Sequence, residues 1–64
     1  MTMTERERAV LALAADGHTF ATMAAHLFVA PDTARKHAAS AYRKLGVNSM
    51  THAVAEAFRR GMIA

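Results

Sequence analysis

Four basic side chains stand in a stretch of the chain that contains no acidic residue. The stretch lies between Asp32 and Glu56, and its basic residues are Arg35, Lys36, Arg43 and Lys44. Guanidinium and ammonium groups attract polyanions, and both can donate hydrogen bonds to O6 and N7 of guanine. The cluster therefore indicates either a polyanionic partner or the solvated face of a helix, and charge alone does not separate the two.

Other kinds of chemistry have little support in the residues. The chain has no Cys, which removes disulfides, thiolate metal ligands and Cys nucleophiles. The histidines lack metal-ligand spacing, and no catalytic triad, carboxylate pair or Gly-rich phosphate loop can be assembled. Glu5, Glu7 and Arg8 are interpreted as first-turn capping and surface charge. We expect no enzyme, no metal, no cofactor and no small-molecule ligand.

The length and composition are typical of one small folded domain. The chain has 64 residues, 53% of them hydrophobic and 20% charged, so we expect a single domain over residues 1–64. That is too apolar for a disordered tail, and a chain this short cannot spare core residues for a deep cleft. No apolar run approaches the ~20 residues of a membrane span, and residues 1–6 lack the apolar core of a secretory signal. We expect a soluble cytoplasmic protein.

The elements that must position the basic residues are helices. Ala is abundant, Gly17, Gly46 and Gly61 each follow a segment of helical period, and Pro31 suits a first helical turn. We predict an all-α fold with helices near residues 5–16, 20–27, 31–45 and 50–60. The predicted N-caps are Thr4 (in a capping box with Glu7), Thr19 and Ser49.

Helical period assigns an inward face to each helix. The predicted inward positions are Val10, Leu11, Leu13, Ala14 and Ala15; Met23, Ala24 and Leu27; and Ala34, Ala38, Ala41, Tyr42 and Leu45. On the fourth helix, most of the stripe formed by Met50, Ala53, Val54, Ala57 and Phe58 is expected in the core.

The third helix has a second face that is basic, small and able to form hydrogen bonds. Its members are Asp32, Arg35, Lys36, Ala39, Ser40 and Arg43. A helix ~20 Å long with small residues in the middle of one face can lie in the ~12 Å wide major groove of DNA. A short helix, a three-residue turn at 28–30 and this basic helix together predict a helix-turn-helix.

With these elements in place, the sequence resembles the C-terminal DNA-binding domain of LuxR/NarL/GerE-type bacterial transcription regulators. The match needs no gap from Met3 to Ile63, and the motifs that carry it are MTERERAVL (3–11), ADG (15–17), MAAHL (23–27), VAPDTARKH (29–37), RKLGV (43–47) and RRGMI (59–63). The resemblance implies a four-helix LuxR-type domain that regulates transcription. We expect it to be a stand-alone domain that acts at the nucleoid. The resemblance further implies binding of double-stranded DNA as a homodimer, with the third helix in the major groove and the fourth pairing the subunits.

The resemblance also implies roles for individual residues. Base contacts are expected from Arg35, Lys36 and Ala39. Phosphate contacts are expected from Thr33, Arg43 and Lys44. His37 and Ser40 are added to the DNA-binding set because of their positions on the third helix. Dimerisation is expected through Val54, Ala55, Phe58 and Met62. Simpler roles stay open: Arg35 and Lys36 as solvated charges, Arg43 and Lys44 as cations at a helix C-terminus, Thr33 as a local bond at the helix start, and His37 as a residue packed beside the core.

Several departures from the family pattern favour an alternative function. Phe28 stands in the turn where the family usually has Gly, so the turn is either reshaped or presents an apolar anchor. Ala30 replaces a Ser cap worth ~1 kcal/mol, the segment 20–22 is Phe-Ala-Thr instead of a polar run, and Ala39 replaces a frequent Lys. The alternative is a protein-interaction module that pairs with a larger regulator or docks on RNA polymerase through Phe20 and Phe28. Exposure of both rings side by side would favour that alternative, and burial of both would weaken it.

The printed sequence contains no receiver or ligand-binding domain beside these motifs. Both a natural small protein and a domain excised from a longer one fit that fact, and the start at Met1 favours the first.

Overall fold

A computed structural model describes residues 2–64 as four α-helices. They are α1 (Glu5–Ala15), α2 (Phe20–Leu27), α3 (Pro31–Leu45) and α4 (Met50–Arg59). No strand occurs within these residues. The predicted all-α class is confirmed, and the predicted helices differ from the observed ones only in that α1 and α4 each end one residue earlier.

Local sequence signals set where the helices begin. Thr4 Oγ1 accepts from the Glu7 N–H at 3.1 Å, and Glu7 Oε1 accepts from the Thr4 N–H at 2.8 Å, which confirms the capping box. Thr19 and Ser49 cap α2 and α4 through their hydroxyls. Ala30 provides no side-chain cap for α3, as predicted, so that helix begins on Pro31 in its first turn.

A residue with positive φ follows each helix, directly after α2 and α3 and one residue further on after α1 and α4. Three of these residues are Gly, and the fourth is Phe28, with φ 57° and ψ 43°. The Phe28 N–H donates to Ala25 O at 3.4 Å and the Val29 N–H to Ala24 O at 3.0 Å, the paired bonds of a Schellman motif. The turn between α2 and α3 therefore keeps the geometry that Gly adopts easily and holds an aromatic residue in it.

The core is built around α3, which packs against each of the other three helices. Leu11, Ala41, Leu45, Ala53 and Ala57 are buried together between α1, α3 and α4. A second cluster joins α1, α2 and α3 through Val10, Met23 and Ala38. Because the buried positions of α3 are mostly Ala, neighbouring helices approach it closely and fix its orientation.

Most predicted inward positions are confirmed as buried or half-buried, and Ala15 is wrong. Ala15 is exposed because it is the last residue of α1. Phe58 is 47% exposed, because α4 meets the core through the narrow stripe of Ala53 and Ala57. Among the described residues, no helix has both the length and the apolar character needed to cross a membrane.

Candidate nucleic-acid interface

One side of α3 is open to solvent along its length. Its exposed members, called here the α3 stripe, are Asp32, Arg35, Lys36, Ala39 and Arg43. The opposite side is held in the core by Ala34, Ala38, Ala41 and Leu45. The stripe extends about 16 Å along the helix axis, and it matches the predicted face except that Ser40 is half-buried.

Arg35 is held on two sides at the start of the stripe. Its Nη1 donates to Asp32 Oδ1 at 3.1 Å, and its Cζ lies 5.4 Å from the centroid of the Phe20 ring on α2. The ion pair itself is solvent-exposed and adds little to stability. Its effect is geometric, because it limits where the guanidinium can point.

Lys36 and Arg43 are the two cations of the stripe that have no partner among the described residues. Both side chains are exposed, and neither makes a hydrogen bond or an ion pair with any residue in 2–64. Ala39 lies between them and presents only a methyl group. The middle of the stripe therefore has a short side chain between two charged ones. This shape lets the wall of a nucleic-acid groove come close to the backbone of α3.

Lys44 points the other way, into the protein. Its Nζ lies 2.7 Å from Glu7 Oε1 and 2.9 Å from Thr2 O, and the two side chains are 15% and 4% exposed. Burial raises the pKa of Glu7, but hydrogen bonds from Lys44, Ser40 and Thr4 outweigh burial and lower that pKa to about 2. The interpretation of Glu7 as surface charge is wrong, since its carboxylate joins α1 to α3.

The Glu7–Lys44 pair was missed although one signal for it was present. Glu7 stands three and four residues before Val10 and Leu11, so it lies on the buried stripe of α1. An acid on a core face needs a cationic partner. The phosphate contact expected of Lys44 stays a prediction, and the position of its ammonium does not favour it.

Three further residues with predicted DNA contacts border the stripe. Thr33, His37 and Ser40 are half-buried, and the Ser40 hydroxyl lies at the Glu7 carboxylate. The contacts expected of these three residues stay predictions.

Most arginines outside α3 serve the fold. Arg6 Nη1 donates to Leu27 O at 2.7 Å, and Arg60 Nη2 donates to Leu45 O at 3.3 Å, so each closes the carboxyl end of a helix. Glu56 accepts from Arg59 at 2.7 Å and from Arg60 at 2.8 Å, and the hydrogen bond from Arg59 is the main reason that the pKa of Glu56 is lowered. Arg6, Arg59 and Arg60 are thus engaged in contacts outside the α3 stripe.

The apolar residues assigned to partners fall into two places. The Phe28 ring is 94% exposed, whereas Phe20 is half-buried against Val10 and Met23, so the two rings are neither exposed together nor buried together. On α4, Phe58 is the exposed residue of the predicted dimerisation set, while Val54, Ala55 and Met62 are half-buried. The dimerisation role of this set stays a prediction.

The residues described here form neither a pocket nor a cluster of three or more potential metal ligands. What they do form is a short helix, a tight turn and an exposed basic helix on an all-α scaffold, which defines a helix-turn-helix domain.

Comparison with known proteins places this domain in a family. The family described as "Bacterial regulatory proteins, luxR family" matches residues 1–57. The chain belongs to the LuxR family and is a DNA-binding helix-turn-helix domain of the transcription-regulator class, which is not a class of enzymes.

Relatives with known sequences and structures agree with this assignment. The chain is 43% identical over 61 residues to the probable transcriptional regulatory protein NarL of Mycobacterium tuberculosis, covering 95% of this chain and 28% of NarL. It is 39% identical over 59 residues to the spore germination protein GerE of Bacillus subtilis, covering 92% of this chain and 80% of GerE. The solved structure of the transcription factor GerE superimposes with a TM-score of 0.92, 26% identity, and coverage of 100% and 97%. The chain thus spans little more than a quarter of NarL and most of GerE.

Proposed function

We propose that the chain is a sequence-specific transcription regulator that binds double-stranded DNA as a homodimer, with α3 in the major groove. The observation that best supports this is the α3 stripe, which places Arg35, Lys36 and Arg43 on one solvent-facing side of a helix fixed by its opposite side. This combination suits a recognition helix, because a rigid element holds donors at the positions that base edges require.

The roles divide along the stripe. Arg35 and Lys36 lie in the first turns of α3, the end that reaches base edges in helix-turn-helix proteins, and each can donate to guanine O6 and N7. Ala39 allows close approach, and its methyl group can contact a thymine methyl. Arg43 binds the phosphate backbone, with Thr33, His37 and Ser40 as flanking donors. Lys44 is left out of this set because its ammonium lies on Glu7.

Dimerisation is proposed through α4, on the patch of Val54, Ala55, Phe58 and Met62. Two-fold symmetry then requires a nearly palindromic site with half-sites about 34 Å apart. If each subunit neutralises about three phosphates, the log–log salt slope of the dimer is about −5.

The test is selection from a random DNA library, followed by a salt titration on the recovered sequence. We expect an enriched palindrome in the wild type and its loss in Arg35→Glu/Lys36→Glu. The matched control is Arg8→Glu, which reverses an exposed cation on α1 outside the stripe. Recovery of no motif by the wild type, with weak binding shared by the double variant, would overturn the proposal.

One observation supports a second function, that of a protein-interaction module. The Phe28 ring is 94% exposed at the turn, which suits an apolar contact with a larger regulator or RNA polymerase. If this is the main function, Phe28→Gly abolishes partner binding, and the Arg35→Glu/Lys36→Glu variant retains it.

A further inference from the structure

The first arginine of the recognition helix is oriented by a neighbouring helix. Arg35 lies on α3, and the Phe20 ring, 5.4 Å from its Cζ, is the first residue of α2. Phe20 is itself half-buried against Val10, Met23 and Ala38. The ring is therefore a fixed surface, and the guanidinium that lies on it takes its position from the core.

The two contacts leave one side of the guanidinium available. Asp32 accepts from Nη1, and the Cζ atom lies over the Phe20 ring. The Nε–H and Nη2–H groups donate no hydrogen bond to residues 2–64. These two hydrogens form the side of the guanidinium that can bind two acceptors at once, such as O6 and N7 of guanine.

We propose that Phe20 is a positioning residue for Arg35 that makes this arginine select guanine over other bases in the half-site. The inference rests on the proposed function, since it assumes that α3 enters the major groove. A long, mobile arginine can meet a phosphate or any base acceptor, whereas one held on a ring and an acid has lost that freedom before binding. Phe20 touches no DNA in this proposal and acts only through Arg35.

The first test uses the free protein and needs no DNA. A guanidinium over an aromatic ring experiences the ring current, so the Arg35 Hε resonance is shifted in the NMR spectrum and its order parameter exceeds ~0.6. Phe20→Leu keeps the apolar packing but removes the ring, so it should abolish the ring-current shift and lower the order parameter, while Asp32 still accepts from Nη1. Phe20→Tyr keeps a ring and should preserve them. An Arg35 signal that is the same in the wild type and Phe20→Leu would overturn the proposal.

The second test measures base discrimination on the selected site. Replacing the contacted guanine with 7-deazaguanine removes the N7 acceptor and weakens wild-type binding. Phe20→Leu should reduce this discrimination about two- to fivefold, the size of an exposed cation–π contact. Phe20→Tyr should rescue it, and the salt slope should stay unchanged because no phosphate contact is lost.

The arginine itself provides the control for a merely structural effect. In an Arg35→Lys background, Phe20→Leu should change discrimination no further, and thermal unfolding shows whether the variant is folded. If the loss is equal in both backgrounds, Phe20 acts on the fold and the positioning role is wrong. If the wild type selects no sequence, the proposed function fails and the guanine role with it, while the NMR result still decides whether the ring holds Arg35.

Discussion

At the scale of single residues, the most consequential arrangement is the buried pair of Glu7 and Lys44. Both ends of the pair are nearly closed to water, and the carboxylate also accepts from the backbone N–H of Thr4. A pair of this kind is costly to break from one side, because the remaining charge stays buried without a partner. The pair connects the start of α1 to the end of α3 and so helps to fix the orientation of α3.

The lowered pKa of Glu7 predicts how stability depends on pH. Its folded pKa of about 2 lies below the ordinary 4.5, so the stabilisation is fully present above pH 4.5 and is lost as the pH falls toward 2. The difference corresponds to about 3 kcal/mol. We expect the free energy of unfolding, measured with urea between pH 7 and pH 2, to fall across this window.

Substitution at the pair separates this cause from general acid sensitivity. Glu7→Gln should cost about 3 kcal/mol at pH 7 and flatten the pH profile, and Glu7→Gln/Lys44→Met should recover part of the loss. Glu5→Gln, which changes an exposed acid in the same turn, is the matched control. A Glu7→Gln profile as steep as that of the wild type would contradict the assignment.

At the scale of elements, the end of α2 combines two unfavourable features in one residue. Phe28 holds a left-handed conformation that costs a side-chain-bearing residue about 1–2 kcal/mol, and its ring remains in water. Phe28→Gly should therefore raise the free energy of unfolding by about 1 kcal/mol, after allowance for the greater freedom of Gly in the unfolded chain.

Phe28→Ala is the comparison that identifies the cause. It removes the ring but keeps the Cβ atom, so it should retain the backbone strain and gain little. Chemical denaturation of both variants measures the difference. Equal stability of the Gly and Ala variants would show that the left-handed conformation is not what limits the stability of this turn.

The elements also show what a sequence can and cannot predict. The helix limits followed from caps, Gly and Pro31, because those signals act within a few residues of the helix end. The α3 stripe followed from helical period. The contact between Phe20 and Arg35 could not be predicted in this way, since it depends on the angle between two helices rather than on spacing within one. The same holds for Glu7 and Lys44, which are 37 residues apart.

At the scale of the whole molecule, size limits how strongly two copies can pair. The domain exposes 3973 Å², and an ordinary interface would take about 800 Å² of that from each partner, roughly a fifth of the surface. The α4 patch offers one exposed large side chain, Phe58, beside half-buried neighbours. Because only one large side chain of the patch is exposed, we expect weak pairing in free solution and expect DNA to bring the two subunits together.

Replacing Phe58 with Asp tests this expectation. The variant should lower affinity for a two-half-site DNA duplex about tenfold or more, since an interfacial aromatic is often worth over 1 kcal/mol. Affinity for a single half-site should be unchanged, because α3 is untouched. Titration of both duplexes with wild type and variant measures this difference directly. Phe28→Asp, at the other exposed aromatic residue, is the control and should leave the ratio of the two affinities at its wild-type value. If Phe58→Asp also leaves that ratio unchanged, the subunits do not pair through α4, and the palindrome would have to be explained by another surface.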